Sequence, residues 1–253
     1  MKHIPIWKEK FKITHSFVDP DGLASIQGMA YCLQETAGNH ASDRKLGYED
    51  LIIDNKAWVL TRQHIKLFDI PKLSMKIIVE TWIDSTTDIV SVRDFHIYSQ
   101  DSDLLGMART SWMLMDLKTR RPARISKELL DRIPHTPGKL EENISLDKIP
   151  VFEDSNDQTS KFKVEYSDLD MNHHVNNINY LKWVLDDFDF NFRKSYKLKS
   201  IEINFLGEAL YADELERETI KDTKRDDEYI TRIINLNNRK YIISSRTKWV
   251  VKE

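Results

Sequence analysis

The stretch DLDMNHHVNNINY, Asp168 to Tyr180, crowds two carboxylates, several carboxamides and two adjacent imidazoles directly before a helix-like run. A carboxylate can orient a neighbouring amide, an amide can hold a carbonyl oxygen or a water, and an imidazole can take or give a proton near neutral pH. Such a set suits proton transfer at a carbonyl. The same residue types are ordinary helix caps and turn formers, because short polar side chains accept bonds from free backbone amides. On residue type alone, capping and chemistry stand level. A metal site is disfavoured: His173 and His174 are adjacent rather than one helical turn apart, and no cysteine pair lies nearby. The chain also lacks a GxSxG nucleophile elbow, a P-loop and a GxGxxG fingerprint, which argues against an activated serine and against nucleotide chemistry.

Positioning these groups requires a strand, a turn and a helix around them. Lys161–Tyr166 reads as a strand and Val175–Phe188 as a helix, followed by strands near Leu198–Phe205, Glu214–Asp222, Glu228–Leu236 and Lys240–Val251. The first half runs in the same order. A strand over Lys10–Val18 enters a turn at Asp19–Gly22, and a helix over Leu23–Ala37 carries Ile26, Met29, Ala30, Leu33 and Ala37 on one face. Strands follow near Trp58–Phe68, Lys76–Trp82, Ile89–Tyr98 and Leu104–Asp116, with a short helix over Ser126–Ile133.

Two residue matches support an internal duplication. Shifted by 149, FVDPDGLASIQGMAY from Phe17 lies against YSDLDMNHHVNNINY from Tyr166, pairing Asp19 with Asp168 and Asp21 with Asp170. Shifted by 138, HIKLFDIPKLSMKIIVET from His64 lies against EINFLGEALYADELERET from Glu202. On this pairing Asn172, His173 and His174 stand where the first half has Leu23, Ala24 and Ser25. Polar residues that only the second copy carries are the better candidates for chemistry.

Composition sets outer bounds. With 253 residues, 40% hydrophobic and 31% charged, the chain can bury a core in each of two units without a metal or disulfide. The division expected is a first domain over 1–135, a linker over 136–158 rich in proline and polar residues, and a second domain over 159–253. A formal charge of -3 gives no general case for a nucleic-acid partner. Cys32 is the single cysteine, which excludes an intrachain disulfide and fits a reducing, cytoplasmic setting. The first residues are too interrupted by charge for a signal-peptide core, and no run approaches the roughly 20 apolar residues of a membrane span.

DLDMNHHVNNINYLKWVLD closely resembles the strand-to-helix motif of the acyl-acyl-carrier-protein thioesterase family, and TRQHIKLFDIPKLSMKIIVETW in the first half resembles that family's arginine-bearing strand, proline turn and strand ending in Thr-Trp. The resemblance covers nearly the whole chain. It implies an α+β double hotdog, two tandem domains each with a long helix packed against an antiparallel sheet, with the acyl pocket mainly in the first. It implies hydrolysis of the thioester between a fatty acyl group and the phosphopantetheine arm of acyl carrier protein, with that carrier as partner and no dissociable cofactor or metal. On the family motif Asp170, Asn172 and His174 occupy the polar active-site positions, and Glu208 is the candidate second carboxylate. Asp170 would orient Asn172, and backbone amides near Val175 to Asn177 would face the developing oxyanion. The plant-like pattern has a Glu-Cys pair where this chain has Glu208-Ala209, so direct attack by water is preferred to a cysteine nucleophile. The basic group Lys118, Arg120, Arg121 and Arg124 is either a carrier-protein contact or a solvated loop. An acyl-CoA thioesterase and a noncatalytic acyl-binding module are the alternatives, and the resemblance leaves monomer and homodimer open.

Overall fold

The computed structural model describes residues 4–133, 140, 142, 144–152 and 159–252. The chain divides into two compact units, Met1–Leu146 and Asp147–Glu253. Of the linker expected over 136–158, residues 136–139, 141, 143 and 153–158 lie outside the described residues. The described remainder is packed against one unit or the other. Leu140 and Ile144 are buried with Trp82 and Met107 in the first unit, and the Ile149 amide donates to Asn204 Oδ1 at 2.8 Å in the second.

In the first unit, β1 (Trp7–Lys12) is followed by α1 (Ile26–Asp43), the short α2 (Tyr48–Leu51), then β2 (Lys56–Leu67), β3 (Lys76–Thr86), β4 (Val90–Ser99), β5 (Leu104–Asp116), β6 (Arg121–Pro122) and α3 (Lys127–Leu130). The sheet order is β1-β3-β4-β5-β2, all antiparallel, with β6 pairing β5. Ser25 caps α1 by accepting from the Gly28 amide, and the helix lays Ile26, Met29, Ala30, Cys32, Leu33, Thr36, Ala37 and His40 into the core. It continues past the expected end at Ala37 to Asp43, and its buried face continues through His40. Asp94, fully buried on β4, is held by Arg109 of β5 through two bonds of 2.7 Å each.

The second unit has β7 (Ser160–Lys163), α4 (Asn177–Leu185), α5 (Phe190–Ser195), β8 (Tyr196–Phe205), β9 (Glu214–Lys221), β10 (Glu228–Asn235) and β11 (Lys240–Val251). Its sheet order, β7-β9-β10-β11-β8, repeats that of the first unit strand for strand. The helix expected through Phe188 ends at Leu185, and Asp189 caps α5 by accepting from the Phe192 amide at 2.7 Å. Among the described residues no helix is long and apolar enough to cross a membrane.

Backbone bonding corrects one of the two offsets. The isolated bridge Val18–Ala24 recurs as Leu169–Val175, the bond from Ser25 N to Phe17 O recurs as Asn176 N to Asp168 O, and the left-handed Gly22 recurs as His173, each 151 residues on. The shift of 138 holds in the later strands, where Ala24 N to Pro71 O becomes Val175 N to Ala209 O. The expected shift of 149 matched one Asp-x-Asp to the other, but the turn is built on the first aspartate of DPDG and the second of DLDM. Asp170 is therefore the counterpart of Asp19, and Asn172, His173 and His174 stand over Asp21, Gly22 and Leu23 rather than over Leu23, Ala24 and Ser25. Identical letters misled because both motifs repeat aspartate at a spacing of two.

Candidate active site

The site begins with that turn. Asp170 Oδ1 accepts from the amides of Asn172 at 2.8 Å and His174 at 3.3 Å, and the Asp170 amide donates to the His174 carbonyl at 2.7 Å. Asp19 does the same in the first unit, accepting from Asp21 and Leu23 at 2.9 and 3.1 Å. The bonding of Asp170 Oδ1 is thus a property of the turn that both units share. His173 closes it at φ 62°, a region costly for most side chains but tolerated by His, Asn and Asp. Its ring is exposed.

The remaining oxygen of Asp170 faces the Asn172 side chain, whose Nδ2 lies 3.5 Å from Oδ2. The two side chains thus lie side by side, at the outer limit of hydrogen-bond distance. Asn176 then caps α4 by accepting from the Ile178 amide at 3.0 Å.

A second segment, Leu206 to Asp213, approaches from the end of β8. The Leu206 and Gly207 amides both donate to the Ile242 carbonyl, and Leu210 N donates to Asp213 Oδ2 at 2.9 Å. The Val175 amide donates to Ala209 O at 3.1 Å, and His174 forms a bridge with Leu210. This registers His174 against Glu208. His174 Nδ1 lies 3.2 Å from Glu208 Oε2, with both side chains partly open to solvent. A hydrogen on Nδ1 donated to the carboxylate leaves Nε2 with a lone pair able to accept a proton, the tautomer that a general base needs.

Asp170, Asn172, His174 and Glu208 are thus linked as two polar pairs joined through one turn. Of the amides of Val175 to Asn177 expected to face the oxyanion, that of Val175 donates to Ala209 O and that of Asn176 to Asp168 O. Cys32 is fully buried in α1, and burial pushes its thiol up to about 12, so it carries no thiolate near neutral pH. Among the described residues no group of three or more His, Cys, Asp and Glu side chains could hold a metal ion. Tyr180, which residue types did not single out, reaches the segment that carries Glu208. Its hydroxyl accepts from the Ala209 amide at 3.1 Å, a contact across 29 positions that only folding creates.

Residues 5–133 match the family model of the acyl-ACP thioesterase N-terminal domain, and residues 152–250 match that of the C-terminal domain. The chain belongs to the acyl-ACP thioesterase family. Within it, oleoyl-acyl carrier protein thioesterase 2 of Arabidopsis thaliana, a chloroplastic protein, is 30% identical over 87% of this chain and 64% of its own length. The oleoyl-acyl carrier protein thioesterase of Coriandrum sativum is 30% identical over 91% of this chain and 66% of its own. The chain therefore spans a little under two thirds of these plant relatives. Among solved structures, an acyl-ACP thioesterase from Bacteroides thetaiotaomicron is 28% identical, with a TM-score of 0.85 over 97% of this chain and 98% of that one. The 12:0-ACP thioesterase from Umbellularia californica shares the fold, with a TM-score of 0.86 at 22% identity over the full length of both chains. The fold is the double hotdog of this family, each unit a helix packed on an antiparallel sheet.

Proposed function

We propose that this protein hydrolyses the thioester joining a fatty acyl group to the phosphopantetheine arm of acyl carrier protein, releasing free fatty acid and the carrier thiol. The observation that carries the proposal is the His174–Glu208 pair beside the Asp170–Asn172 pair at the entrance to α4. Family membership supports the substrate class. In this reading Asp170, Asn172, His174 and Glu208 are the working residues. The Asn172 amide holds the thioester oxygen, Asp170 fixes that amide, and Glu208 keeps His174 in the tautomer that carries its hydrogen on Nδ1. Water adds to the carbonyl carbon as His174 Nε2 takes its proton. The tetrahedral oxyanion then collapses, the C–S bond breaks, and the proton passes to the departing sulfur.

The same reading assigns the acyl pocket to a first domain over 1–135, connection to 136–158 and catalysis to 159–253. Acyl carrier protein is the partner, and no cofactor beyond its own pantetheine arm is called for. The exposed Lys118, Arg120, Arg121 and Arg124, in and beside the turn between β5 and β6, suit the approach of an acidic carrier. The cytoplasm is the proposed compartment, in keeping with a single, buried thiol.

The deciding experiment gives purified protein matched acyl-acyl-carrier-protein and acyl-CoA series over a range of chain lengths, with free acid and released thiol both quantified. Higher kcat/KM on the carrier-protein series is expected. Equal or greater efficiency on CoA would overturn the carrier assignment, and binding without turnover would make the protein an acyl-binding module.

A further inference from the structure

The two units of one chain offer an internal comparison. Where the second unit has His174 and Glu208, the backbone bonding of the first aligns Leu23 and Ile70. Where the second has Tyr180 and Ala209, the first has Met29 and Pro71. Proline has no amide hydrogen and methionine no hydroxyl, so the bond from Ala209 N to Tyr180 Oη has no equivalent in the first unit. The scaffold bond beside it is kept in both, as Ala24 N to Pro71 O and Val175 N to Ala209 O. The donor–acceptor pair is present in the unit with the polar groups and absent from the other.

From this we infer that Tyr180 is a positioning residue for the reaction: by accepting from the Ala209 amide it holds the backbone next to Glu208 and so seats the Glu208 carboxylate against His174. Ala209 is fully buried, its N–H bound to Tyr180 and its C=O bound by the residue that follows His174. Glu208, by contrast, is an exposed side chain with three rotatable bonds, and its position depends on the backbone that carries it. The Tyr180 ring is wedged edge-on against Trp183 and Phe205, which fixes where its hydroxyl sits. Burial pushes its phenol up to about 12, so it remains protonated and acts through Ala209 rather than as a base.

The inference rests on the hydrolase reading above, and a double-mutant cycle separates the two. Tyr180→Phe, Glu208→Asp and the double variant are assayed under single-turnover conditions with enzyme in excess, on the acyl-acyl carrier protein turned over fastest by the unmodified protein. Folded state is checked by near-UV circular dichroism. Tyr180→Phe is expected to lower the single-turnover rate constant about tenfold with the half-saturating enzyme concentration within twofold, and to cost less than twofold on the Glu208→Asp background, where the carboxylate is already withdrawn from His174. The same tenfold loss on both backgrounds, or none in the single variant, would overturn the role of Tyr180. Unchanged rates in both Glu208→Asp and Glu208→Gln would instead remove Glu208 from the mechanism, and with it the reading on which this inference stands.

Discussion

His174 Nδ1 lies 3.2 Å from Glu208 Oε2, and the residues in the corresponding places of the first unit are Leu23 and Ile70. A fold that needed only a helix start would accept either pair, so the polar pair is an addition to the scaffold. His174→Ala and Glu208→Gln are each expected to lower kcat by about 10²–10³-fold, the range of a lost general base or its orienting partner. Steady-state kinetics with melting curves check this, and a rise in KM with kcat unchanged would assign the pair to substrate recognition.

Asp19 and Asp170 make the same turn bonds, yet only Asp170 faces an asparagine amide. Asp19→Ala and Asp170→Ala should each destabilise by about 1 kcal/mol, the usual worth of such a bond. Only Asp170→Ala should also slow turnover. Urea denaturation beside activity assays reads both, and equal kinetic losses in the two variants would make Asp170 a turn residue alone.

The left-handed backbone at His173 matches that of Gly22. His173→Gly relieves strain of about 1 kcal/mol but adds a similar unfolded-state entropy, so stability should change by no more than about 0.5 kcal/mol. His173→Val, branched at Cβ, should cost at least about 1 kcal/mol. Because the His173 side chain is exposed, kcat of the glycine variant should stay within twofold. A large kinetic loss there would return His173 to the chemistry.

His40, fully buried in α1, accepts from Arg93 Nη1 at 2.7 Å through Nδ1. Burial, with Arg93 and Arg44 beside it, holds its imidazole down to about 3, against 6.5 when exposed. The unfolded chain therefore binds this proton first, and between those pH values unfolding takes up a proton. The contribution is intact above about pH 6.5 and is lost as pH falls toward 3, at about 1.4 kcal/mol per pH unit. His40→Gln should remove that slope from denaturant curves run between about pH 4 and about pH 6, inside those limits. An unchanged slope would assign acid lability to another group.

Asp94 is fully buried and depends on Arg109 for both of its carboxylate oxygens. Arg109→Ala leaves that charge without its partner and should destabilise by about 3–5 kcal/mol. Adding Asp94→Asn should recover part of the loss, because a neutral amide costs less to bury than an unpaired carboxylate. No recovery in thermal melts would mean that Arg109 contributes by packing rather than by charge.

Much of the architecture was legible because burial leaves a periodic mark. The apolar stripe from Ile26 to Ala37 announced α1, the strand-like run of Lys76–Trp82 announced β3, and the 138-residue shift survived because sheet register tolerates no slippage when one face is buried. Turns leave weaker marks. DPDG and DLDM looked alike as letters, and hydrogen bonding moved their correspondence by two positions.

For the site, residue types in one short stretch left capping and chemistry level, and the resemblance of that stretch to the family motif is what nominated Asp170, Asn172 and His174. Which groups touch was a matter for the fold. Glu208 reaches His174, and Tyr180 reaches Ala209, through a loop whose place is set by strand register and by bonds to Ile242, Val175 and Asp213. Local sequence encodes the chemistry a side chain can do; only long-range packing sets the few ångströms between partners on which that chemistry depends.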